Sequence, residues 1–267
     1  MRRSLLVPVL SLLAPALLAG GSLAAQSHGP AAKPASNVKG AHAGPHWAYE
    51  GAEGPHAWGR MDAAWRACSV GREQSPIDLG GTVMARQGRI AERFVSTPLV
   101  LFNNGHTVQA ALEKASTLTI DGTPFASLQF HFHHPSEHTV RGKAYPAELH
   151  LVHKSAKGEL AVLGIFIEIG ARENPAFETL IGKLPRASGD SVPFKAPVDL
   201  AALLEDQPGA DEAVYTYHGS LTTPPCSEGV RWTVRERSVS ISFRQMQRLV
   251  AVLGESARPV QPVFDRR

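Results

Sequence analysis

The chain has 267 residues, of which 43% are hydrophobic and 19% charged. That length allows one large domain or two small ones, and the apolar share suffices for a buried core, which excludes fibrous and disordered classes. The 27 Lys and Arg against 24 Asp and Glu give +3, or +1 once Arg2 and Arg3 are set aside as part of a removed leader. So even a balance makes no electrostatic case for a polyanion, and no nucleic acid partner is expected.

In chain order, Met1-Arg2-Arg3 precedes an apolar run from Leu5 to about Leu18 and then Ser22-Leu23-Ala24-Ala25. This is the pattern of a cleaved signal peptide over residues 1–25, because Pro8 and Pro15 break the run and leave it short of the roughly 20 apolar residues that span a bilayer. Arg2-Arg3-Ser4-Leu5-Leu6 also faintly resembles a twin-arginine export signal. With no second spanning stretch and no lipid-anchor tail, a periplasmic or secreted protein without a stable membrane anchor is expected. In such an oxidising compartment the two cysteines, Cys68 and Cys226, have one intramolecular pairing, and a disulfide is expected between them. Residues 26–45, rich in Ala, Gly, Ser, Pro and Lys, read as a flexible leader. The packed domain is expected over 46–267, where aromatic residues begin at His46-Trp47-Ala48-Tyr49.

Within that domain, Gly and Pro punctuate short apolar runs that read as strands at Leu99 to Phe102, Leu118 to Ile120, Ser127 to Phe132 and Ala147 to His153. Leu160 to Ile169, Ala213 to Tyr217 and Val230 to Val234 continue the series. Helical periodicity is confined to Ala176 to Lys183, preceded by Pro175, and Ser242 to Leu253. The expected fold is therefore mainly β, α+β with few short helices.

Chemistry enters at Gln129-Phe130-His131-Phe132-His133. A strand's period of two turns His131 and His133 to one face, about 6 to 7 Å apart, and sends Phe130 and Phe132 to the other. In Glu148-Leu149-His150-Leu151-Val152-His153 the same parity groups Glu148, His150 and Val152, so that His150 is the natural third ligand. Three neutral imidazoles around a tetrahedral Zn²⁺ leave one position open, as in catalytic sites. A surface pair of histidines and a satisfied core histidine are the plainer alternatives.

Those stretches occur in order with Ser136-Glu137-His138 and Ser220-Leu221-Thr222-Thr223-Pro224-Pro225. Gln74-Ser75-Pro76-Ile77-Asp78, Asn103-Asn104-Gly105-His106, Leu160 to Phe166 and Arg258-Pro259-Val260-Gln261-Pro262 accompany them. Together, from about Trp47 to Asp265, the chain resembles an alpha-class carbonic anhydrase of the exported bacterial type. The resemblance implies a single domain on a large twisted, mostly antiparallel sheet with a conical zinc cleft. It implies reversible hydration of carbon dioxide to bicarbonate and a proton by zinc-bound hydroxide, with His131, His133 and His150 as the zinc ligands. Thr222 would accept a hydrogen bond from the hydroxide and donate to Glu137, and His106 would shuttle protons toward solvent.

By the same matching, Tyr49, Asn104, Gln109 and Thr223 would line a polar side, and Val152, Val162, Leu221, Val230 and Trp232 the substrate pocket. Gln129 and Glu148 would orient His131 and His150, with a backbone carbonyl near Ser256 orienting the remaining ligand. Two departures stand out: the sequence around Ser256 differs from the usual pattern, and His134 replaces a common tryptophan. His134, His138 and His153 read as non-ligating. The alternatives are a non-catalytic carbonic-anhydrase-like binding module and an extracytoplasmic metal-binding protein. The expected partner is the small-molecule substrate CO₂ or bicarbonate; oligomeric state stays open, a dimer included.

Overall fold

The computed structural model describes residues 45–80, 84–85, 90–204 and 213–266. The expected signal peptide and the leader up to residue 44 lie outside the described residues. In chain order the strands are β1 Met84–Ala85, β2 Ile90–Arg93, β3 Thr97–Asn103, β4 Val108–Leu112, β5 Thr117–Ile120, β6 Thr123–His133 and β7 Thr139–Val140. They continue with β8 Lys143–Ala144, β9 Ala147–Ser155, β10 Leu160–Gly170, β11 Ser191–Val198, β12 Val214–Ser220, β13 Glu228–Arg235 and β14 Val239–Ser242.

Twelve of these form one sheet in the order β1-β12-β13-β10-β9-β6-β4-β3-β11, with β14 beside β10 and β5 beside β2 and β6. Pairing is antiparallel except where β10 runs parallel to β13 and β14. The fold is thus mainly β on a large mixed sheet with few short helices. Central position explains why β10 is an unbroken apolar run, buried from Ala161 to Ile167: both its faces are covered. Ala161, Leu163, Ile165 and Ile167 enter one core with Phe130, Phe132, Leu149 and Leu151. Val162 and Phe166 enter a second with Val230, Trp232 and Val234.

The helix Phe243–Leu253 starts at a capping box, in which Ser242 and Gln245 satisfy each other's backbone N–H groups, and stops at Gly254 with φ 60°. Pro175–Ile181 is capped by Asn174, whose side chain accepts from the N–H groups of Ala176 and Phe177. It ends two residues before the expected Lys183, because Gly182 closes the last turn onto the Glu178 and Leu180 carbonyls. Strand Ser191–Val198 is masked in the sequence by Pro193 and Pro197; among the described residues it pairs only with β3, at the sheet edge where proline is tolerated.

Parity places His153 on the core side of β9, with Leu149 and Leu151, at 1% exposure. Burial pushes its pKa down to about 4. Since that lies below the usual value near 6.5, the unfolded chain takes up a proton first as pH falls. The neutral ring's contribution is complete above about pH 6.5 and is lost toward pH 4, by about 3 kcal/mol. Denaturant unfolding of His153→Gln at pH 7 and pH 4.5 is expected to show a smaller acid loss of stability than the parent; an equal loss would contradict this assignment.

Candidate metal centre

The site grows from strand register. Across β6 and β9, His131 stands opposite His150 and His133 opposite Glu148. Phe130, Phe132, Leu149 and Leu151 take the alternate positions and fill the core, so the three imidazoles emerge together on the other face. Their ring centroids lie 4.9 Å (His131–His133), 5.3 Å (His131–His150) and 4.5 Å (His133–His150) apart. One nitrogen from each ring falls within 4.8 Å of the others, a grouping that could hold a metal ion.

Each ring is oriented by an oxygen behind it. His131 Nδ1 donates to Gln129 Oε1 at 2.9 Å, His133 Nδ1 to the Ser256 carbonyl at 2.6 Å, and His150 Nε2 to Glu148 Oε1 at 2.9 Å. All three acceptors demand an N–H, which puts the lone pairs on His131 Nε2, His133 Nε2 and His150 Nδ1. His133 Nε2 is buried and makes no hydrogen bond. The Ser256 contact survives the unusual local sequence because it uses backbone alone.

Burial, reinforced by the neighbouring imidazoles, holds His131 well below the ordinary histidine pKa. Burial also lowers His133, against the opposing pull of the Glu137 carboxylate. For His150 burial works downward too, but the charge and hydrogen bond of Glu148, with the charge of Glu137, raise it overall. Gly164 pairs with His150 on β10. A Cβ there would approach Glu148 Oε1 to 2.9 Å, so glycine leaves room for the carboxylate.

Glu137 is buried beside the His133 and His150 rings. Its Oε1 accepts the Arg258 backbone N–H at 2.9 Å, while Oε2 lies 3.5 Å from His133 Nε2 and 3.7 Å from His150 Nδ1. Oε2 makes no hydrogen bond, so the expected bond from Thr222 to that oxygen is not formed: the carboxylate faces the imidazole nitrogens instead. A second grouping of His138, Glu148 and His150 also has metal-like spacing. There, however, both His138 nitrogens are engaged, Nδ1 with Glu148 Oε1 and Nε2 with the Tyr217 hydroxyl, each at 2.7 Å. His134 is likewise engaged, with the Pro146 carbonyl.

The cleft over the imidazoles is lined on its polar side by Tyr49, Asn104, His106, Gln109, Thr222 and Thr223. Val152, Val162 and Trp232 form a continuous row across β9, β10 and β13, joined by Leu221 as an apolar wall. Val230, expected in that wall, is instead buried in the apolar cluster containing Val162 and Trp232 and does not line the cleft. His106 is not extended toward solvent. Its ring stacks on Trp47, centroids 3.7 Å apart, and its Nε2 donates to the Trp47 carbonyl at 2.9 Å. Trp47 and Thr107 also line the cleft; Trp47 stood out in the sequence only as the start of the packed domain.

Thr222 and Thr223 sit in the turn between β12 and β13. Leu221 N–H donates to the Ser227 carbonyl and Cys226 N–H to the Thr223 carbonyl. Cys226 is disulfide-bonded to Cys68, with Cα atoms 5.1 Å apart, as expected. Around the bridge pack Trp47, Trp58 and Trp65.

A family profile described as eukaryotic-type carbonic anhydrase matches residues 53–267. A carbonic anhydrase of Klebsiella pneumoniae is 42% identical over 224 residues, covering 83% of this chain and 89% of the relative. Among solved structures, the alpha-carbonic anhydrase of Thermovibrio ammonificans, determined with the inhibitor sulfanilamide, matches with TM-score 0.78 and 40% identity over 84% of this chain and 98% of its own. That of Photobacterium profundum matches with TM-score 0.76 and 42% identity over 83% and 98%.

The disulfide closes a loop of sequence separation 158 onto the turn that carries Thr222. In the chain-entropy account such a bridge stabilises by about 5 kcal/mol. Reduction is expected to lower the guanidinium unfolding midpoint and to speed amide exchange at Leu221 and Cys226; unchanged stability with both thiols titratable would contradict it.

Proposed function

The chain belongs to the eukaryotic-type, or alpha, carbonic anhydrase family, and from that premise we propose that it hydrates CO₂ reversibly to bicarbonate and a proton with one Zn²⁺ held by His131, His133 and His150. The observation that carries this reading is the convergence of three ring nitrogens whose opposite N–H groups are all committed. The orphaned, buried lone pair of His133 Nε2 fits a ligand role. A donor set of three imidazoles and no thiolate suits a catalytic zinc. When bound, the ion supplies the Lewis acidity that lets water lose a proton near neutral pH.

The remaining chemistry falls to the chain's own groups. Glu137 Oε1 is committed to the Arg258 N–H, so Oε2, which makes no hydrogen bond while it faces the imidazole nitrogens, is the oxygen open to the Thr222 hydroxyl proton once those nitrogens are engaged. A carboxylate can only accept, and so obliges the threonine oxygen to accept in turn from the attacking water, which aims a lone pair at the substrate. Val152, Val162, Leu221 and Trp232 offer CO₂, which has no net dipole, an apolar berth and keep bulk water from that side. Tyr49, Asn104, Gln109 and Thr223 order the waters along which the released proton leaves. His106, which lines the cleft while its ring stacks on Trp47 and its Nε2 donates to the Trp47 carbonyl, takes that proton on swinging out of this stack toward solvent.

The Cys68–Cys226 bridge supports an extracytoplasmic location, since cytosolic thiols are kept reduced. No helix among the described residues is long and apolar enough to cross a membrane. Residues 1–25 would then be an export signal and 26–45 a leader ahead of the catalytic domain at 46–267.

Metal analysis with stopped-flow CO₂ hydration tests the reading. One zinc per chain and rapid turnover are expected. His131→Ala should lose tight zinc binding and activity together. His106→Ala should keep its zinc and slow turnover by roughly 100-fold, the lower end for a general acid–base group, with rescue by imidazole buffer. Full activity of metal-free His131→Ala would overturn the proposal.

A further inference from the structure

β6 leaves its ladder at the candidate metal centre. Its last pair with β9 sets His133 against Glu148, so His134 lies just beyond the pairing. Ser256 takes the place of a strand there. Its Oγ accepts the His134 N–H at 3.0 Å, and its own N–H donates to the His134 carbonyl at 2.8 Å. Its carbonyl reaches back one residue to accept from His133 Nδ1 at 2.6 Å. Three groups of one residue thus close on two consecutive residues, and Ser256 is fully buried, so water offers no substitute partner.

The carbonyl that orients His133 is backbone, but something must fix its place. Residues 256–258 belong to no helix or strand, since the helix Phe243–Leu253 stops at Gly254. No ladder or helical turn therefore holds them. At one end Arg258 is anchored by its guanidinium, which donates to the Cys68 and Ser75 carbonyls and to Gln74 Oε1. Its backbone N–H donates to Glu137 Oε1 at 2.9 Å, so the same stretch serves a second residue of the site. At the other end the side-chain anchor is the Ser256 hydroxyl. Its counterpart, His134, is clamped from the opposite side, where ring Nδ1 donates at 2.7 Å to the carbonyl of Pro146, one residue before β9. The two positions at which the sequence departs from the family pattern thus meet in one contact. Without the hydroxyl, the His134 N–H would lose its acceptor in a buried place, and a shift of the segment to supply another would carry the Ser256 carbonyl off the His133 ring.

We propose that Ser256 is a positioning residue for the candidate metal centre: its hydroxyl holds residues 256–258 against the end of β6, and so places both the carbonyl that keeps the His133 proton on Nδ1 and the N–H that anchors Glu137. This rests on the reading of His131, His133 and His150 as zinc ligands.

The test is the rate at which zinc-loaded protein surrenders its metal to excess chelator, read beside exchange of the His133 ring proton by nitrogen NMR. Ser256→Ala is expected to speed zinc release about tenfold, the lower end for loss of a ligand-orienting partner, and to speed exchange of the Nδ1 proton. In the zinc-saturated variant kcat/KM should fall as well, because the Glu137 anchor moves with the segment; an unchanged value would overturn the link to Glu137. Ser116→Ala controls for stability alone. Ser116 is as deeply buried, and its hydroxyl likewise accepts a backbone N–H, that of Val95, outside the site. It should lower the unfolding midpoint yet release zinc at the parent rate. Parent-like release and ring-proton exchange in folded Ser256→Ala would overturn the proposal, as would equal acceleration by Ser116→Ala. Should Ser256→Ala fail to fold, His134→Phe decides: it keeps a ring but cannot donate to Pro146, so faster release supports the clamp and parent-like release overturns it. A parent protein that binds no zinc would defeat the ligand assignment itself, whereas a parent with one zinc and indifferent variants would defeat only the anchor.

Discussion

The register between β6 and β9 is the constraint from which the site follows. With His131 opposite His150, three imidazoles share one face and four large apolar side chains share the other. A slip of one residue by either strand would turn that strand over, sending Phe130 and Phe132 of β6, or Leu149 and Leu151 of β9, into the cleft. At about 1.5–3 kcal/mol for each buried side chain, the two apolar residues of either strand hold that register by about 3–6 kcal/mol. The geometry of the candidate metal centre is therefore secured by residues that never touch it.

What the core secures, the polar shell tunes. Gln129, Ser256 and Glu148 each claim an N–H from one imidazole and so decide which nitrogen faces inward. His133 Nε2 and Glu137 Oε2 remain buried without hydrogen bonds. Each such group costs about 1–3 kcal/mol in a fold with nothing bound to it. Their retention marks a site shaped for a ligand rather than for stability, and a cation that satisfied the imidazole would return stability to the native state by linkage.

Much of this was legible in the chain itself, for a local reason. Alternation over Gln129 to His133 and over Glu148 to Val152 encodes facing, so His131, His133 and His150 could be grouped before any tertiary structure was known. A single pair of cysteines similarly left one choice of bridge. What escaped depends on contacts distant in sequence. The Arg258 N–H that claims Glu137 lies 121 residues away, and the Trp47 ring against which His106 stacks lies 59 residues away. Val230 has the composition of a cleft wall but is covered, and Ser191–Val198 carries two prolines that only an edge strand admits. Ser256 looks like an ordinary loop residue until its hydroxyl, N–H and carbonyl are all seen to meet the end of β6.

X-ray absorption at the zinc edge of the loaded protein tests the central claim most directly. Three imidazole nitrogens at about 2.0–2.1 Å and one oxygen from solvent are expected around the metal. A coordination shell containing sulfur, a protein carboxylate or fewer than three imidazoles would contradict the account.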